Sequence, residues 1–204
     1  VGQLRVGMVP LASLNPMQLI KPLAEKYPAL QFSLLSMTSE QIIDGVSRNQ
    51  LDLGICYLQH LDERLFKIAR LPQTRMGLLH DKRHFDFSAG TPGWDTLAAL
   101  PLGFLTKGMY YRESIEISFK AKGLTPTSVF ESDSTFQIIQ AVQAGICCAI
   151  MPLNNGLEAL SDNLEILPIA ETHVDSQLAL IMRQQEPVST LAEKCFAEAQ
   201  GIFG

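Results

Sequence analysis

The chain has 204 residues, of which 47% are hydrophobic and 18% charged, and its formal net charge is −5 at neutral pH. This length allows one large domain or two small ones with real cores, and the composition excludes a disordered chain. The acidic balance lacks the basic stripe of a protein that holds DNA by itself. No apolar run approaches the roughly 20 residues that span a bilayer, so we expect no membrane segment.

The cysteines and histidines indicate neither a disulfide framework nor a metal site. Three of the four cysteines lie in the most apolar predicted strands, where a free thiol behaves as a small hydrophobe. We therefore expect a reduced, cytoplasmic chain without a cofactor. The histidines show no metal-ligand spacing and are expected at the surface. These residues are Cys56, Cys147, Cys148 and Cys195, and His60, His80, His84 and His173.

The first part of the chain predicts alternating strands and helices. Residues 4–9 alternate in polarity and predict a strand, and Asn15-Pro16 starts a helix that ends at Tyr27. A second strand follows over residues 30–35. The order strand, helix, strand is typical of a parallel sheet.

A capped helix and a buried strand follow in residues 37–58. Thr38 with Gln41 fits a capping box, in which each side chain bonds the other residue's backbone N–H. Apolar residues at helical spacing come next, Arg48-Asn49 ends the helix, and residues 51–55 form an apolar run. The segment therefore completes a βαβαβ unit.

Residues 131–152 repeat this plan in the second half of the chain. Ser132 or Ser134 is the cap, Gly145 ends the helix, and residues 146–151 predict the strand. The apolar face of this second helix is predicted to carry Phe136, Ile138, Ile139 and Val142.

Extended segments on both sides of the second unit predict two lobes. Residues 65–79 are extended and carry Pro72, and residues 164–169 and 177–182 predict further strands before a last helix over 188–203. The predicted fold class is α/β, with two Rossmann-like lobes joined by two crossing strands. The predicted boundaries are 1–74 plus 176–204 for lobe I and 75–175 for lobe II.

The order of these motifs resembles the effector-binding domain of LysR-type transcriptional regulators over essentially the whole chain. The segments that carry the resemblance are LRVGMVP, EKYP, SEQIIDGVSRNQLDLGI, KGLTPTSVFES, IIQAVQAGICCAIMP and LALIMR…PVSTLAEKCF.

The resemblance implies a fold like that of type II periplasmic binding proteins, with a small molecule bound between the lobes. It also implies an N-terminal winged helix-turn-helix, which these 204 residues do not contain, and binding of DNA through that domain only. Family members form dimers and tetramers, in which the helix Pro16–Tyr27 and strand Leu30–Leu35 of one subunit would lie against the helix Thr135–Ala144 of another. The sequence departs from the family at Met37 and Cys147, where glycine is frequent.

Ligands of open α/β sheets bind outside the carboxyl ends of the strands, and this rule selects the candidate residues. Two helix N-termini at these ends, near Thr38 and near Ser132 and Ser134, favour an anion such as a carboxylate. Lys107 would add a positive charge, and Glu131 would receive a ligand amine or hydroxyl. The candidate ligand-binding residues are Leu11, Ser13, Met37, Thr38, Ser39, Leu58, Thr106, Lys107, Glu131, Ser132 and Ser134.

These observations favour an effector-sensing domain of a transcription regulator, with two alternatives. One is a solute-binding protein of a transporter, which would require a secretory signal upstream. The other is a redox-sensing regulator that acts through its methionines or cysteines. The sequence shows no nucleophile elbow, zinc-protease or nucleotide-binding motif, so we expect no catalytic residues and no enzyme.

Overall fold

The computed structural model describes residues 2–59, 61–73, 75–170 and 177–203. The chain divides into two compact units, Val1–Gln73 with Ser176–Gly204 and Thr74–Asp175, here called unit 1 and unit 2. The predicted α/β class is confirmed, because helices and strands alternate through both units. His60 and His173 lie outside the described residues.

Ten strands and six α-helices make up the described chain, with two short 3-10 turns. The strands are β1 Gln3–Met8, β2 Gln31–Ser36, β3 Leu53–Tyr57, β4 Phe66–Arg70, β5 Met76–Asp81, β6 Pro101–Leu105, β7 Thr127–Ser132, β8 Ala149–Pro152, β9 Leu164–Pro168 and β10 Leu178–Arg183. The helices are α1 Met17–Lys26, α2 Ser39–Ser47, α3 Trp94–Ala99, α4 Tyr110–Ala121, α5 Thr135–Gln143 and α6 Thr190–Phe203.

Unit 1 is built on a five-stranded sheet in the order β2-β1-β3-β10-β4. β1 runs parallel to β2 and β3, and β10 is antiparallel to β3 and β4. All five residues of β3 are buried, as expected for a central strand covered on both faces. The carboxyl ends of the three parallel strands therefore lie at one edge.

Helix α2 packs closely on this sheet because two paired glycines leave room for it. Gly7 of β1 and Gly54 of β3 lie opposite each other in register. A Cβ atom on Gly54 would lie 2.4 Å from Cγ2 of Ile42, and one on Gly7 would lie 2.7 Å from Cδ1 of Leu51. Larger residues at these positions would push α2 away from the sheet, so the glycines set how closely the helix packs.

Unit 2 repeats the strand arrangement of unit 1. β6 pairs in parallel with β7, and β5 is antiparallel to β8 and β9. A parallel bridge between Leu102 and Cys148 joins these two sheets, with the Gly103 N–H donating to the Cys148 carbonyl at 2.8 Å. The resulting order β7-β6-β8-β5-β9 corresponds strand for strand to the order in unit 1.

The second capped segment differs from its sequence interpretation in two places. Phe136 was predicted on the buried face of α5, but its side chain is 65% exposed, and only Ile138, Ile139 and Val142 of the predicted set are buried. The following strand begins at Ala149 rather than at Ile146, which is 51% exposed. Three of the four predicted residues lie on the buried stripe of the helix, whereas Phe136, the second residue of α5, lies outside it.

The prediction that the histidines lie at the surface is wrong for His80. Strand β5 extends to Asp81, so His80 is a central-strand residue that is 1% exposed, and its Nε2 lies 3.4 Å from Oε1 of Glu165. Its ring meets Phe87 edge-on at 4.8 Å between centroids. Asp81 is also buried, and Arg83 donates to both of its carboxylate oxygens. The sequence predicts an extended segment only as far as residue 79, whereas β5 continues for two more residues, His80 and Asp81.

Within the described ranges, no helix is long and apolar enough to cross a membrane. The same residues contain no cluster of three or more His, Cys, Asp or Glu side chains placed to hold a metal ion.

We predict that G54A lowers the free energy of unfolding by about 1–3 kcal/mol, the usual effect of overpacking a core. The new Cβ would collide with Ile42, Val46 and Ile181. The matched control is G201A in α6, where no atom lies within 4 Å of the added Cβ and where alanine favours the helix. Urea unfolding measures both variants. Equal stabilities for G54A and the unmodified chain would contradict the close packing of α2.

Candidate functional site

The six candidate residues of unit 1 lie at the carboxyl ends of β1, β2 and β3. Three backbone or side-chain bonds tie these ends together. The Met37 N–H donates to the Met8 carbonyl at 3.0 Å, and the Val9 N–H donates to the Ile55 carbonyl at 3.0 Å. The Tyr57 N–H donates to Oγ of Ser39 at 3.2 Å. These bonds bring the ends of the three strands together. Leu11 and Ser13 follow β1, Met37, Thr38 and Ser39 follow β2, and Leu58 follows β3.

Thr38 forms the predicted capping box at the start of α2. Its Oγ1 accepts from the Gln41 N–H at 3.2 Å, and the Gln41 side chain accepts from the Thr38 N–H at 3.0 Å. Ser39, the first helical residue, fastens the same turn to the end of β3. Each hydroxyl oxygen therefore accepts one backbone N–H, and these bonds hold the helix start at the edge of the sheet.

The loop after β1 contains a strained residue. Leu11 has a φ of +56°, in the left-handed region, and its side chain is 8% exposed. This conformation costs a residue other than glycine about 1–2 kcal/mol. Its apolar side chain is buried, which offsets the cost and fixes the path of the loop toward the partly exposed Ser13.

The candidate residues of unit 2 meet at the carboxyl ends of β6 and β7. The Thr106 N–H donates to the Ser132 carbonyl at 3.2 Å. Ser134 is the N-cap of α5, because its Oγ accepts from the Gln137 N–H at 3.3 Å. Ser132 instead accepts from the Ser134 N–H at 3.0 Å and donates to Oε1 of Gln137 at 2.7 Å. Of the two caps that the sequence left open, Ser134 is therefore the one observed.

Glu131 is engaged by an arginine that the sequence interpretation did not select. Its carboxylate forms an ion pair with Nη1 of Arg112, and the same nitrogen donates to the Leu105 carbonyl at 2.9 Å. Nε of Arg112 donates to Glu116 at 2.8 Å, and the guanidinium lies 5.1 Å from the centroid of the Phe104 ring. Arg112 thus takes one of the two carboxylate oxygens of Glu131, Oε2.

Arg112 is buried and remains charged. Its side chain is 7% exposed. Burial acts to lower the pKa of the guanidinium, but the hydrogen bonds to Glu116 and Glu131 outweigh it and raise this pKa. The sequence held one signal for this residue: Arg112 lies three and seven positions before Ile115 and Phe119, on the stripe predicted to face inward.

The cysteines do not have the character of redox sensors. All four are free and buried. Burial raises the pKa of Cys56 and Cys148 to about 12, and that of Cys147 and Cys195 to about 11. Because the thiolate is the reactive form, these groups are inert at neutral pH. The structure therefore disfavours the cysteine route of the redox alternative.

The sequence matches the family described as LysR substrate binding domain over residues 1–202. The chain belongs to this family. It is an effector-binding domain of the kind found in LysR-type transcriptional regulators, as its motif order indicated, and its family is one of regulators rather than enzymes.

Solved structures of LysR regulators share the fold. The regulatory domain of CcmR from Synechocystis PCC6803, in complex with 2-PG, has a TM-score of 0.79 at 17% identity, covering 100% of this chain and 98% of its own. The effector binding domain of QuiR, in complex with shikimate, has a TM-score of 0.74 at 17% identity, covering 97% and 94%.

A full-length LysR regulator shows the same likeness. Full-length CbnR, complexed with its target DNA, has a TM-score of 0.74 at 18% identity, and the match covers 100% of this chain but 70% of CbnR. These likenesses confirm the predicted two-lobe fold of the periplasmic-binding-protein type.

We predict that T38A lowers the free energy of unfolding by about 1 kcal/mol, because the Gln41 N–H loses its acceptor. T38S keeps the hydroxyl oxygen and is expected to retain most of this stability. Chemical unfolding of the two variants beside the unmodified domain measures the difference. Equal losses in T38A and T38S would show that the cap contributes nothing.

Proposed function

We propose that this domain binds a small anionic effector at the strand-end edges described above, and that binding controls DNA recognition by a longer regulator. The observation that supports it best is the grouping of all eleven candidate residues at the carboxyl ends of parallel strands, six in unit 1 and five in unit 2. Parallel α/β sheets bind their ligands at this edge.

The chemistry of the related ligands supports an anion. QuiR was solved with shikimate, which is a carboxylate, and CcmR with 2-PG. Helix starts at the edges, with exposed Lys107 in unit 2, supply partial and full positive charges for such a group. Each helix start contributes about 0.3–1 kcal/mol where it is exposed.

We further propose that the chain is the sensing part of a protein whose other part binds DNA. CbnR, which is longer and was solved on its target DNA, supports this arrangement. The net charge of −5 is consistent with a domain that does not itself hold DNA. An effector shifts the regulator between two states only by binding one of them more tightly. Four unpaired cysteines support a cytoplasmic location.

Exposed apolar residues support a homodimer of this domain, from which a tetramer of the full protein would be assembled. Leu34 and Leu35 of the edge strand β2 are 37% and 46% exposed, and Phe136 of α5 is 65% exposed. These are elements through which the family resemblance implies contact between subunits. Apolar side chains of this size gain free energy when a second copy covers them.

The effector proposal predicts that a small carboxylate raises the melting temperature of the isolated domain. Ligand at ten times its Kd adds about 1.4 kcal/mol, which corresponds to a shift of about 3–5 °C for a chain of this size. Differential scanning fluorimetry with a panel that includes shikimate and 2-PG, against NaCl of equal ionic strength, measures the shift.

Variants locate the binding residues once an active carboxylate is found. S13A and T106A are expected to weaken the response, whereas S128A, an exposed serine at the opposite end of β7, is expected to leave it unchanged. The absence of any shift across the panel would overturn the anionic-effector proposal.

The dimer proposal predicts that F136E dissociates the domain, because the substitution places a charge where a partner would cover the ring. Sedimentation equilibrium measures the mass. I117E is the matched control, since Ile117 of α4 is 58% exposed and lies outside the proposed surface. A dimer that persists in F136E, or an unmodified domain that is monomeric at high concentration, would contradict it.

A further inference from the structure

The start of α4 differs from the other helix starts at the strand-end edges. Thr38 caps α2 and Ser134 caps α5 through their hydroxyl groups. The residue before α4 is Met109, which makes no side-chain capping bond. β6 ends at Leu105 and α4, which has twelve residues, begins at Tyr110, so the positive end of α4 lies near the carboxyl end of β6 and has no side-chain cap.

Arg112 lies in the first turn of this helix and has donor capacity left over. A guanidinium has five N–H groups, of which Nε carries one and each Nη carries two. Glu116 takes Nε, and Leu105 and Glu131 take Nη1. None of the bonds that Arg112 makes within the described chain uses Nη2. Two N–H groups of a side chain that is 7% exposed thus have no acceptor among the residues that the structure describes.

The guanidinium is held in a fixed orientation at the carboxyl end of β6. Its contact with the carbonyl of Leu105, the last residue of β6, places it where that strand ends. Two carboxylates and the ring of Phe104 restrict its rotation. A planar fork that is already oriented loses little entropy when it binds an oxyanion.

We propose that Arg112 is the anion anchor of unit 2, with Nη2 donating to a carboxylate or phosphate oxygen of the effector at the start of α4. The inference rests on the proposed function and moves its anion site from the capped start of α5 to the start of α4. Glu116 and Glu131 serve as positioning residues, because they hold Nε and Nη1 and leave Nη2 for the ligand.

The charges around Arg112 make the site selective rather than strongly attractive. Arg112 and Lys107 carry two positive charges, which the carboxylates of Glu116 and Glu131 balance. Attraction for the anion then comes from directed hydrogen bonds and from the helix end, both of which act over short distances. A ligand gains from them only when its oxyanion fits the fork.

Inorganic phosphate is the probe, because it carries the proposed oxyanion without the rest of an unknown effector. We expect phosphate to raise the melting temperature of the domain by about 3 °C beyond NaCl of equal ionic strength, in a saturable manner. The triple variant R112M/E116Q/E131Q removes the anchor together with its two carboxylates and leaves no buried unpaired charge. It is expected to lose the phosphate response.

Two further variants keep the test decisive. R112K retains the positive charge without the planar fork, and its apparent Kd for phosphate is expected to rise at least tenfold. This variant provides the test if the triple variant fails to fold. R70Q/E63Q removes a surface ion pair of unit 1 and is expected to respond as the unmodified domain does. A phosphate response that is equal in R112K or the triple variant overturns the anchor.

The result separates this inference from the proposed function. If carboxylates stabilise the domain and phosphate acts independently of Arg112, the effector proposal stands and the anchor is wrong. If phosphate has no effect beyond ionic strength in the unmodified domain, the anchor is also wrong, whatever the carboxylate panel shows.

Discussion

The arrangement of the candidate residues in unit 1 depends on how closely α2 packs on the parallel sheet. In unit 1, Gly7 and Gly54 leave the space that Ile42 and Leu51 fill, so the start of α2 reaches the edge where β1, β2 and β3 end. In unit 2, a Cβ on Gly103 would lie 2.8 Å from Sγ of Cys147. Cys147, which precedes β8, thus packs against a glycine of β6 that leaves space for its sulfur.

The same chain plan yields two units because the local signals are repeated. Each unit has a strand, a helix, a strand, a capped helix and a buried strand, and each sheet is completed by antiparallel strands. β10 lies near the end of the chain and completes the sheet of unit 1. Its counterpart in unit 2 is β5, which comes before the other strands of that unit in the sequence. The unit boundary therefore crosses the sequence twice.

The elements were predictable where one local rule decides the structure. The capping box of Thr38 and Gln41 depends on residues three apart, and the buried run of β3 depends on hydrophobicity alone. The predictions were wrong where contacts between distant segments determine whether a side chain is buried. His80 is buried because β9 pairs beside it, and Phe136 is exposed because no element of its own unit covers it. Neither fact is present in a local pattern.

The site shows the same division between local and distant information, with a chemical consequence. Sequence patterns select helix starts by their capping residues, but a capping oxygen accepts one of the free N–H groups of the first turn and so leaves fewer of these donors for a ligand. The start without a polar cap gives no signal of this kind, and Arg112 appears only as a charge on an apolar stripe. The orientation of its guanidinium is set by Glu131 and Leu105, and neither residue belongs to α4. The donors that remain for an anion are therefore found by counting satisfied bonds rather than by recognising motifs.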